Sequence, residues 1–142
     1  MTSIAQVQRL VNRTLRSFEA GEFGGVEPIP YKQDKPGVFI FPGADYLPGP
    51  VGRLYGDMAH IEWHPPFDWA PLESLATELD EDPCGAASLD GNTLCQLIHA
   101  HMRAERFCDG LFLGRVNSGQ IRALLGRVRV FCANRTGPIS DL

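Results

Sequence analysis

Residues 90–110 read DGNTLCQLIHAHMRAERFCDG, and this stretch decides the fold. Asp90 is suited to cap a helix, because its short carboxylate can accept a backbone N–H of the first turn. Leu94, Leu97, Ile98, His101 or Met102, and Phe107 then recur at helical spacing and predict one buried face. Gly110 is placed to end that helix in a left-handed conformation. Downstream, Leu111-Phe112-Leu113 reads as a short apolar turn. Asn117-Ser118-Gly119 opens a last helix with Ile121, Leu124, Leu125 and Val128 facing in.

The pattern continues upstream. Val51–Trp63 predicts a helix with Leu54, Met58 and Ile61 on one side, ended by Pro65-Pro66, since the residue before proline is pushed out of the helical region. Asp68 and Pro71 open another, carried by Leu72, Leu75, Ala76 and Leu79 to Asp80-Glu81-Asp82. Those acids oppose the helix dipole, so fraying is expected there. At the start, Ser3-Ile4-Ala5-Gln6 has the spacing of a capping box, and Ile4, Val7, Leu10, Val11, Leu15 and Phe18 form a stripe that Gly21 stops. Between Gly21 and residue 50, glycines and prolines predict a loop. Val38-Phe39-Ile40-Phe41 reads as a strand within it, and 26–31 could pair with it only at an edge because of Pro28 and Pro30. The expected architecture is mainly α: one compact domain over 1–142 of about five helices, with a minor β element near residues 26–42. Residues 1–21 form the N-terminal helix, 22–50 a loop with a short strand, 51–131 the helical core and 132–142 a loose tail.

A chain of 142 residues with 44% hydrophobic and 21% charged side chains can bury a core without covalent staples. No apolar run approaches a membrane span, and Met1-Thr2-Ser3-Ile4-Ala5-Gln6 lacks a secretion signal, so a cytoplasmic location is expected. Cysteines 84, 95, 108 and 132 stand far apart and predict free, mostly buried thiols. The net charge of −4 is unevenly spread. From Asp57 to Asp109 eleven acids face two bases, Arg103 and Arg106, whereas Gly110 to Ser140 carries arginines 115, 122, 127, 129 and 135 and no acid.

Candidate chemistry is sparse. His60 and His64 stand four apart, as do Cys95 and His99, so on helices the two pairs could close a zinc site. The acid at 62 does not fit the metalloprotease motif, and Pro65 strains the helix at His64, so no metal is expected. Cys84 and Cys108 are the thiols with prospects as nucleophiles. No nucleophile elbow, phosphate-binding loop or dinucleotide fingerprint appears, and no catalytic residue or cofactor is expected. The C-terminal arginines suggest nucleic acid, but they are not interleaved with aromatics, and a pI near 5.5 argues against a dedicated binder. A helix-turn-helix over 91–131 would need a shorter connection than the sequence offers.

Phe67-Asp68-Trp69, the run Arg103-Ala104-Glu105-Arg106-Phe107-Cys108-Asp109-Gly110, and Ser118-Gly119 ahead of Ile121 together resemble a bacterial domain-of-unknown-function family. Its members share a Phe-Asp-Trp step, an Arg-x-Asp-Arg-Phe-x-Glu-Gly run and a Ser-Gly pair. Phe41-Pro42 matches a further step. The likeness covers roughly residues 37–131. Glu105 and Asp109 exchange the two acids of the run, and Leu72 stands where members tend to carry a second tryptophan. The resemblance implies a shared helical fold and no particular activity.

Arg103, Glu105, Arg106 and Asp109 are expected to form a charge network that fixes helix packing, or else an anion or partner site. Trp63, Trp69, Asp80, Glu81, Asp82, Arg122, Arg127 and Arg129 form the expected interaction surface. The leading functional expectation is a non-enzymatic module with a protein partner and no membrane contact. The alternatives are a phage or mobile-element inhibitor of a CRISPR-type defence complex acting through its acidic face, and a nucleic-acid-associated regulator using the C-terminal arginines. The oligomeric state is left open.

Overall fold

A computed structural model describes residues 2–23, 32–35, 38–40, 49–106 and 110–142. Helix α1 spans Ile4–Glu19 and begins as its sequence dictates. The Gln6 amide donates to Ser3 Oγ at 3.2 Å, and the Ser3 amide donates to Gln6 Oε1 at 2.8 Å. Its buried stripe is Ile4, Val7, Leu10, Val11 and Leu15. Ser3→Ala removes the hydroxyl half of this box and is expected to cost about 1 kcal/mol, seen as a melting temperature lower by roughly 3 °C.

Strands β1 (Lys32–Lys35) and β2 (Val38–Ile40) pair antiparallel, with Lys32 opposite Ile40 and Gln33 opposite Phe39. The edge segment 26–31 considered from sequence lies outside the described residues. Among the described residues, helices supply most of the core, with Phe23, Trp63 and Leu89 joining from the connections. Helix α2 (Gly49–Ala59) buries Val51, Leu54 and Met58 but stops four residues short of the expected Trp63. The chain turns back there, and the Met58 carbonyl at the helix end accepts both the Ile61 amide at 3.1 Å and Trp63 Nε1–H at 3.0 Å.

A 3-10 turn at Ala70–Leu72, where Asp68 Oδ1 accepts the Ala70 N–H, leads into α3 (Glu73–Glu81). A second 3-10 turn, Pro83–Ser88, leads to α4 (Gly91–Ala104). Asp90 caps α4 by accepting the Thr93 amide at 2.7 Å, and both His101 and Met102 lie on its buried face.

The end of α4 departs from expectation. The helix stops at Ala104, and Gly110, at φ +93°, opens α5 (Leu111–Asn117) rather than closing α4. The supposed apolar turn 111–113 is therefore the first turn of a further helix, which makes six α-helices among the described residues. Glu105 makes the link: its buried carboxylate accepts the amides of Gly110 at 3.1 and 3.2 Å and of Phe112 at 3.3 Å. Phe112 is fully buried and meets Tyr55 edge-on, 5.3 Å between centroids, while Tyr55 donates to the Met102 carbonyl. Gly119, at φ +90°, then opens α6 (Gln120–Cys132), which buries Ile121, Leu124, Leu125, Val128 and Cys132 and packs along α1.

Residues 132–142 are not loose. The Ile4 amide donates to the Gly137 carbonyl at 2.7 Å and the Ile139 amide to Thr2 at 2.9 Å, so the tail pairs with the segment before α1. Ile139 is buried, and Leu142 rests so close to Gly91 that a Cβ there would lie 2.5 Å from its carbonyl carbon. Unpaired backbone groups on both segments and two apolar side chains explain the docking. One contiguous core thus runs from Ile4 to Ile139.

Candidate functional site

Among the described residues, a charged cluster that ties helices lies outside the run expected at 103–109. It lies where α3, α4, α5 and α6 meet. Gln120 is fully buried, and its Nε2 donates to the Ala76 carbonyl and to Asp80 Oδ1, both at 2.8 Å. With the amide nitrogen so committed, Gln120 Oε1 faces His101 Nε2 at 2.7 Å, which assigns the proton to that ring nitrogen. Burial pushes the pKa of His101 down to about 4, against the raising effect of the Gln120 bond, so the ring is neutral near pH 7. Asp80 also accepts the Ser118 hydroxyl at 2.6 Å and pairs with Arg115, whose own pKa burial lowers. Asp80 was expected on a frayed, exposed acidic face. Three partners hold it in place instead, and only Glu81 and Asp82 of that run are exposed. Beside this cluster an apolar cavity of about 300 Å³ is walled by Leu72, Leu97, Ala104 and Leu111, with half-buried Trp69 among its lining residues.

The four candidate metal ligands do not converge. Because α2 ends at Ala59, His60 and His64 are not on one helical face. His60 is exposed beside Gln6 and Arg13. Cys95 is buried, its thiol pushed up to about 11 by burial and by neighbouring Cys132. His64 and His99 do approach, their centroids 6.5 Å apart, with Phe67 4.9 Å from one and 5.5 Å from the other. No group of three ligating side chains occurs among the described residues. Cys84 is exposed, and Cys108 lies outside the described residues.

His64 and His99 belong to a groove of about 610 Å³ between the α2–α3 connection, α4 and the tail. Arg103, half-buried, and Arg106, exposed, line the same groove. The arginines and Glu105 of the signature run thus serve different ends: Glu105 binds the amides that start α5, and the arginines face the groove. Asp109 lies outside the described residues. Burial lowers the pKa of His99, and Arg103, His64 and Arg106 lower it further in that order. Trp63 also lines this groove but is only 2% exposed, which removes it from the expected interaction surface.

The third region is the outer side of α6. Val130, 61% exposed, points away from the buried stripe. Arg122 and Arg129, seven residues apart, share one flank, and both are exposed. The Arg122 guanidinium lies 5.8 Å from the Phe18 ring of α1. On the other flank Arg127 lies 4.5 Å and Arg135 5.4 Å from the Phe131 ring, and Arg127 Nε donates to the Leu89 carbonyl. The sequence reading found the arginines and missed their aromatic partners. The i, i+4 spacing of Arg127 and Phe131 was the available signal, whereas Phe18 comes from the far end of the chain.

The fold and these three regions define a mainly α-helical domain with one apolar core; no helix among the described residues is long and apolar enough to cross a membrane. The chain belongs to the family of unknown function DUF6508, whose sequence model matches residues 3–134. No curated protein and no solved structure matches the chain.

Proposed function

We propose that this chain is a non-enzymatic protein-interaction module of the cytoplasm, and that the outer side of α6 docks on an acidic surface of its partner. The observation that carries the reading is Val130, an exposed apolar side chain set among arginines that are stacked on aromatic rings. Stacking on Phe18 and Phe131 restrains Arg122, Arg127 and Arg135 before binding, which lowers the ordering cost of an interface. Arginine and aromatic side chains around an apolar centre are the composition that dominates binding energy in protein interfaces. No acid lies between Gly110 and Ser140 to neutralise the face from within its own segment.

Arg122→Glu combined with Arg129→Glu tests the reading. Neither side chain is buried, so the melting temperature should stay within about 3 °C of the parent. Proteins captured from the native host by the parent chain should be lost from the double variant, with affinity for an identified partner weakened at least about tenfold. Equal capture by both chains would overturn the assignment of the face. Capture of nucleic acid, with affinity falling steeply with salt, would replace it by the regulator reading.

A further inference from the structure

We propose that the groove between the α2–α3 connection and α4 binds a small phosphate monoester carrying a flat apolar group. This site is separate from the α6 face and does not depend on it. Between Asp57 and Asp109 the chain holds eleven acids and two bases, and the fold brings both bases, Arg103 and Arg106, to one groove. Among the described residues Arg13 finds Asp57 and Arg115 finds Asp80, while Arg103 and Arg106 form no ion pair. They stand with two imidazoles, His64 and His99, and among the described residues the one acid lining the groove is exposed Glu62. Each cation there raises the cost of its neighbours' charge: burial lowers the proton affinity of His99, and Arg103, His64 and Arg106 lower it further. A bound dianion attracts each of these cations and offsets their mutual repulsion.

The groups also suit the ligand in shape. Two guanidinium forks can each present paired N–H donors to a tetrahedral oxyanion, and the hydroxyl-bearing Thr2 and Ser140 line the same groove. The exposed part of the remaining wall is apolar, built from Ala59, Ile61, Pro65 and Pro66, beside the planar rings of His64 and His99. A volume of about 610 Å³ suits a molecule of drug or mononucleotide size. The segment from Asp57 to Asp109 sets eleven acids against these two guanidinium groups, a balance that suits one compact dianion rather than a polyanion.

Phenyl phosphate is the probe. Titration of the full chain, followed by amide and imidazole chemical shifts at constant ionic strength, should give saturable shifts at His64, His99 and Arg103. Inorganic phosphate should bind at the same residues but more weakly, and phenol should not compete at equal concentration. Arg106→Gln, at an exposed position, should fold as the parent does and weaken phenyl phosphate binding about tenfold or more. Arg122→Glu with Arg129→Glu should leave it unchanged, so loss of the partner face and loss of the groove remain distinguishable. Absence of saturable shifts up to about 10 mM ligand, or equal affinity in the parent and Arg106→Gln, would overturn the proposal.

Discussion

Asp80→Ala is expected to lower the stability of the fold by about 3 kcal/mol, and its melting temperature by roughly 10 °C. Asp80 takes part in three contacts that join three helices: it neutralises Arg115 from α5 and accepts from the Ser118 hydroxyl and the Gln120 side-chain amide at the start of α6. Truncation leaves Arg115, whose side chain is only 14% exposed, with its charge buried and unanswered. That penalty, rather than the loss of an attraction, dominates the effect. Removing both charges should therefore be milder than removing one. Asp80→Leu with Arg115→Met is expected to recover more than half of the loss, because a packed apolar pair carries no desolvation cost. Urea melts of the single and double variants measure this directly. A single-variant loss below about 1 kcal/mol would show that solvent reaches and screens the pair.

Acid should weaken the fold through His101 well before it titrates the carboxylates. The group's pKa is about 4 in the folded chain and about 6.5 when exposed, so between those values the unfolded chain binds the extra proton. Stability therefore rises with pH from 4 to 6.5 and is flat, for this group, above 6.5. The stabilisation lost on acidification through that window is about 3 kcal/mol. His99, lowered in the same direction by burial, adds to it with the same sign. Asp90, whose carboxylate is held below its usual value by the Thr93 amide, contributes only at more acid pH. Unfolding free energies measured at several points between pH 4 and 7 give the slope. His101→Gln keeps a donor for Gln120 without a titrating ring and should flatten most of it; an unchanged slope in that variant would refute the assignment.

What could be read in advance was local. The capping box at Ser3 and Gln6, the Asp90 cap, the stripe of α1 and the inward face of α6 all depend on residues within a turn or two of each other, and all stand as expected. What could not be read depends on partners distant in the chain. Glu105 looks like one member of a charged run, yet its carboxylate is aimed at the amides of Gly110 and Phe112 once the helix ends early. Asp80 looks like a solvated acid until Ser118 and Gln120 arrive from the following helices. Trp63 looks like an exposed aromatic until the chain reverses after Ala59 and buries it. The two imidazoles of the groove meet across 35 residues of sequence, so their spacing carried no metal-site signal of the kind the i, i+4 pairs suggested. The arginines of the signature run were visible as a pair. That they share one groove was not.

The pairing of residues 137–139 with residues 2–4 bears on how the molecule is made. A ribosome delivers α1 first, but the helix lies mainly against α6, and its leading amide is satisfied by a carbonyl made more than 130 residues later. Until α6 is made, α1 therefore carries an apolar stripe, Ile4, Val7, Leu10, Val11 and Leu15, that lacks its main native cover. Completion of the fold has to wait until the last helix has left the exit tunnel, and for that interval the nascent chain is a natural client for any factor that shields hydrophobic segments at the ribosome.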